Sequence, residues 1–110
     1  MRDWAIARAN GRLAAIRELL DRDRVCLQIV RYLLDHSEAA DTARGIAEWW
    51  IKRDVSRTAE ALSRLEEHGI VGSHQVQDTT SVYAFTKNQI LRDTLRHYVD
   101  GLSEPTSARG

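Results

Sequence analysis

Residues Val55-Ser-Arg-Thr-Ala-Glu-Ala-Leu-Ser-Arg-Leu-Glu-Glu-His-Gly-Ile-Val71 read as one amphipathic helix that stops at a glycine and passes into a strand. Val55, Thr58, Leu62 and Leu65 recur at steps of three and four, which places them on one helical face. Ser56, Arg57, Glu60, Ser63 and Arg64 fall outside that face. Asp54 can cap the start of this helix, predicted over 55–68, and Gly69 takes the C-terminal glycine position.

Upstream, Thr42 to about Ile51 predicts a shorter helix, with Asp41 or Thr42 as its cap and Ile46, Ala47, Trp50 and Ile51 as its apolar side. A break at Lys52-Arg53-Asp54 separates the two helices. Downstream the period changes to that of strands, with Ser73 to Gln77 and Val82 to Thr86 flanking the turn Asp78-Thr79-Thr80-Ser81, so a two-stranded hairpin is expected. Further out, Ile6, Ala9, Leu13, Ile16 and Leu20 line one face of a first helix over Arg2 to Arg22. Cys26, Leu27, Ile29, Val30, Leu33 and Leu34 form the broad face of a second, over Asp23 to Asp35. A last helix runs from about Asn88 to Asp100, with Leu91, Leu95, Tyr98 and Leu102 along one side.

That order, four helices, a hairpin and a helix, fits a mainly α protein. Residues 42 to 86 resemble a winged helix-turn-helix domain of small prokaryotic transcriptional regulators. Ala61-Leu-Ser-Arg-Leu-Glu-Glu-His-Gly-Ile-Val71 carries the resemblance most specifically, looking like a recognition helix that ends at its glycine and enters the wing. The expected architecture is a single domain over 1–102, with a core at 25–86, flanking terminal helices for dimerisation, and a disordered tail at 103–110.

The whole chain has 110 residues, with 16 Lys and Arg against 16 Asp and Glu, so bulk positive charge does not drive it onto nucleic acid. Contact must be local. From Thr42 to Arg64 five cations face three anions, and the candidate DNA-contacting residues are Arg44, Lys52, Arg53, Ser56, Arg57, Glu60 and Arg64. Arg57 is the base-reading candidate, since a guanidinium can donate two bonds to guanine. The plainer alternative pairs Arg57 and Arg64 with Glu60 on an ordinary solvated helix.

The wing departs from the resembled pattern. Leu65 to Thr86 holds Glu66, Glu67 and Asp78 but no Lys or Arg, where such wings usually offer a cation to phosphate at the tip. A winged helix that docks protein without binding DNA is therefore the alternative reading. Dimerisation is expected through Ile6, Leu13, Ile16, Leu20, Leu91, Leu95, Tyr98 and Leu102, which exceed what a small central domain needs for its own core.

No cofactor or metal is expected, because His36, His68, His74 and His97 lack paired ligand spacing and Cys26 is the one cysteine. Cys26 lies on an apolar face and reads as a buried thiol. No nucleophile with a general base, carboxylate pair or phosphate-cradling glycine loop marks an enzyme. With one cysteine, no leader pattern and apolar runs far shorter than the roughly 20 residues of a membrane span, the expected setting is the cytoplasm, with duplex DNA, a second copy and possible protein partners.

Overall fold

Three short polar side chains start the central helices. Asp23 Oδ1 accepts from the Val25 and Cys26 amides at 3.0 and 3.1 Å, Thr42 Oγ1 from the Gly45 amide at 3.1 Å, and Asp54 Oδ2 from the Arg57 amide at 3.1 Å. Each satisfies donors that a helix start leaves unpaired. The computed structural model describes residues 2–77 and 80–109, with side chains at 12–77 and 80–102. The elements are α1 Arg2–Arg22, α2 Arg24–Asp35, β1 Ala40–Thr42, α3 Ala43–Gly45 running on as a π-helical segment Ile46–Ile51, α4 Val55–Glu67, β2 Val71–Val76, β3 Thr80–Phe85 and α5 Gln89–Arg109.

The sheet has three antiparallel strands in the order β1-β3-β2, rather than the two expected. Tyr83 sits opposite Ser73 on one side and Asp41 on the other. Three residues are too few to show a period of two, so β1 exists only because the outer edge of β3 offers it backbone partners.

The helix expected over Thr42 to Ile51 changes its winding at Ile46. In an α-helix residues five apart point about 140° away from each other. The wider i to i+5 turn brings them closer together around the axis, and Ile46 and Ile51 are both buried. Lys52 closes the segment in the left-handed conformation, φ 55°. Trp50 is half-buried and stacks on Tyr32 with ring centroids 4.4 Å apart, whereas Trp49 is 71% exposed.

Helix α4 buries Thr58, Ala61, Leu62 and Leu65, with the Thr58 hydroxyl donating to the Asp54 carbonyl at 2.9 Å. Gly69, at φ 76°, turns the chain, and the Ile70 amide reaches back to the Leu65 carbonyl at 2.9 Å. That left-handed turn is the position that favours glycine. Gly101, by contrast, has no positive φ, so α5 passes through it to Arg109 instead of ending near Asp100; the side chains of the tail expected at 103–110 lie outside the described ones.

The core joins Ile16 and Leu20 of α1, Cys26, Ile29, Val30 and Leu33 of α2, Leu62 and Leu65 of α4, and Leu91, Leu95 and Val99 of α5. Ile16, Leu20, Leu91 and Leu95, expected at a dimer interface, are thus engaged inside the single chain. The reason is that α1 and α5 both close over α2 and extend its apolar core, instead of standing clear of the domain. Arg92 and Arg96 stitch α5 in place: Arg92 Nε donates to the Thr86 carbonyl at 2.6 Å, and Arg96 donates to the Leu34 carbonyl at the end of α2. The Tyr98 hydroxyl donates to Asp21, which ties α5 to α1 as well.

Candidate nucleic-acid interface

Most exposed positions of α4 fall in two stripes, because residues seven apart nearly superimpose around a helix. Ser56, Glu60, Ser63 and Glu67 form the crest opposite the buried face, Arg57 and Arg64 lie about a quarter turn away on one flank, and Glu66 lies on the other. The flank faces the end of α1 and the start of α2. There Arg64 donates to Asp23 Oδ2 at 2.8 Å. The pairing of Arg57 and Arg64 with Glu60 does not form among the described residues.

Asp23 is therefore a shared support, capping α2 and holding Arg64. Burial would raise its carboxyl, but the bonds from Cys26, Arg64 and Val25 outweigh that and hold it below the ordinary carboxylate value. A carboxyl lowered in the folded state contributes stability above its unfolded value, about 3.9, and loses it as pH falls through the folded value. Asp23→Asn should accordingly be less stable than the wild type at pH 7, and the gap should close in urea titrations carried down towards pH 3. A gap independent of pH would show that the carboxylate charge contributes nothing. Asp23→Ala, which also removes the capping oxygen, should cost about 1 kcal/mol more.

The remaining predicted residues are spread around this helix. Arg53 Nε donates to Gln28 Oε1 at 2.6 Å, and Lys52 stands over the exposed Trp49 ring at 5.4 Å. Arg44 pairs with Glu48 at 3.2 Å, so its charge is partly balanced. Arg53, Arg57 and Arg64 share one groove, which Arg44 and Lys52 do not line. That groove also takes in Arg22 and Arg24, which the sequence reading passed over as helix ends. The cation-dense Arg22-Asp23-Arg24 junction was their only local signal.

Of the wing, the exposed residues of β2 are neutral, Ser73 donating to Glu66 at 2.8 Å; Asp78 and Thr79 lie outside the described residues. Cys26 is fully buried and its thiol is pushed up to about 12, chiefly by burial and then by the Asp23 charge. A thiol so held is a poor nucleophile. Among the described residues no three His, Cys, Asp or Glu side chains converge as a metal site, and no helix is long and apolar enough to cross a membrane.

A short helix, a tight turn, a capped second helix with a polar crest, and a hairpin hinged at a left-handed glycine complete the pattern. The fold is a winged helix-turn-helix. Solved structures similar to it are transcription regulators. A homodimeric winged helix-turn-helix DNA-binding domain from Mycobacterium bovis, a possible ArsR-family regulator, superposes with a TM-score of 0.65 at 18% identity, over 88% of this chain and 87% of that one. A MarR-family regulator from Rhodococcus gives 0.56 at 22% identity, over 90% and 73%. MepR, which regulates a multidrug efflux pump in Staphylococcus aureus, gives 0.59 at 14%, over 97% and 81%. No family model and no curated protein matches the chain. In winged-helix terms α3 with its π-helical extension is the first helix of the helix-turn-helix, α4 the second and β2–β3 the wing.

Proposed function

We propose that this winged helix is a homodimeric transcriptional regulator that binds duplex DNA sequence-specifically in the cytoplasm, with α4 in the major groove. The observation that carries the reading is the exposed side of α4: on a winged-helix frame it offers Ser56 and Glu60 on the crest and Arg57 on the adjoining flank at its start, where a recognition helix meets base edges. Arg57 forms no ion pair among the described residues, so its fork is free to reach guanine. Arg44, Lys52, Arg53 and Arg64 act on phosphates beside it. No catalytic step belongs to this reading.

The second copy covers the groove between α1 and α5, about 680 Å³, where Leu13 and Leu102 are 37% and 36% exposed and Tyr98 is half-buried. Leu13, Tyr98 and Leu102 remain as candidate contacts; Ile6 lies outside the described side chains. Two-fold symmetry would set the recognition helices one DNA turn apart, about 34 Å.

Selection from a random duplex pool, followed by sequencing and titration, tests the reading. Arg57→Ala should cost about 1 to 3 kcal/mol and relax preference at one base position. With Arg44 and Arg64 already paired to Glu48 and Asp23 and no Lys or Arg on the wing, the logarithmic salt slope should be shallower than about −10, the value of a strongly basic dimer. The competing reading, a winged helix that docks protein, is favoured by the exposure of Trp49 and by a wing without Lys or Arg. Failure of any selected duplex to bind at low salt would decide for it.

A further inference from the structure

We infer that the groove between the end of α1, the start of α2 and the flank of α4 binds a small multivalent anion of the phosphate-ester or pyrophosphate class. It is an open groove of about 800 Å³, a volume within the usual range of small-molecule sites, about 300 to 1,000 Å³. Five guanidinium side chains line it: Arg22, Arg24, Arg53, Arg57 and Arg64. The two carboxylates in the groove are already engaged, Glu18 with Arg22 at 3.8 Å and Asp23 with Arg64 at 2.8 Å. Arg24 and Arg57 form no ion pair among the described residues, and Arg53 has only the neutral amide of Gln28. Three cations therefore face a concave space without a matching anion.

Guanidinium forks bind tetrahedral phosphate oxygens through paired hydrogen bonds, so a compact anion with several oxygens satisfies more than one of them at once. Concavity favours such a ligand over a duplex backbone. The part of α4 that projects is the crest with Ser56, Glu60 and Ser63, and the arginines sit on the flank that walls the groove. Arg57 is also the proposed base reader. An anion held there draws Arg57 away from DNA, and the two ligands oppose each other by the same factor in either direction. That consequence rests on the DNA reading; binding of the anion does not.

Calorimetric titration of the full chain with inorganic pyrophosphate, at constant ionic strength, tests the site. Saturable binding, one ligand per chain, is expected, and Arg24→Gln should weaken it about tenfold, the loss of one charge-assisted donor. Arg24 is exposed at the first position of α2, so the fold is not at stake, and a circular dichroism melt checks this. Arg31→Gln, the same charge change on an exposed part of α2 outside the groove, should leave the affinity unchanged. Absence of saturation, or equal losses in both variants, would overturn the site and reduce the effect to screening. If the duplex backbone fills the groove instead, Arg24→Gln weakens binding of the selected duplex and lowers the salt slope by about one, with no saturable pyrophosphate binding, which also overturns it. Saturable pyrophosphate binding by a chain that retards no duplex would uphold the site while removing the DNA reading.

Discussion

A chain carrying Leu13→Glu and Leu102→Glu together should be a folded monomer and should bind a selected two-half-site duplex about 10² to 10⁴ times more weakly than the wild type. Both side chains are already exposed in the single chain, at 37% and 36%. Charges placed there can turn to solvent in a monomer, at about the 1 kcal/mol of an average substitution. Across a two-fold interface the same four carboxylates would be brought into one apolar groove, and burying unpaired charge is far more costly than the interface can repay. The loss on DNA follows because the second α4 no longer arrives at its half-site tethered to the first. Light scattering beside circular dichroism separates dissociation from unfolding. A wild type that scatters as a 12.5 kDa particle at micromolar concentration would sink the dimer itself.

Leu62→Ala, like Leu65→Ala, should be among the most destabilising truncations in α4, at about 2 to 5 kcal/mol. Leu62 is fully buried and packs in the cluster that joins α4 to α2. Truncation both buries less apolar surface and leaves a cavity in a core drawn from several elements, which cannot all move in to fill it. Against a typical domain stability of about 5 to 15 kcal/mol, such a loss brings the chain close to unfolding at physiological temperature. Urea titration measures it. Ser63→Ala, one position along on the exposed crest, should stay within about 0.5 kcal/mol. Equal effects of the two would mean that α4 does not seat through Leu62, and its crest would lose its claim to face outward.

Much of helix α4, which carries the candidate site, is legible because its signals are local. The cap at Asp54, the steps from Thr58 to Leu65 and the stop at Gly69 each need only a few neighbouring residues, and α4 forms where they place it. The buried state of Cys26 and the exposure of Trp49 beside a half-buried Trp50 follow from helical phase in the same way. The partner of Arg64 is not legible in the sequence for the converse reason. Glu60 is its neighbour along the helix, but its partner Asp23 is 41 residues away, and no local period encodes which distant cap will face a given flank.

The sequence by itself determined where helices start, turn and end, which face of each is apolar, and that a helix-turn-helix precedes a hairpin, because capping, periodicity and left-handed glycine act over a turn or two of chain. Only the tertiary structure decided what those faces meet. It recruited Ala40–Thr42 as a third strand, widened the helix at Ile46–Ile51 so that two isoleucines could be buried together, and spent Ile16, Leu20, Leu91 and Leu95 on the chain's own core. It also set Arg22 and Arg24 against Arg57 and Arg64. Strand pairing, burial and charge clustering depend on which surfaces come together, and that is settled by packing the whole chain around one core rather than by any segment alone.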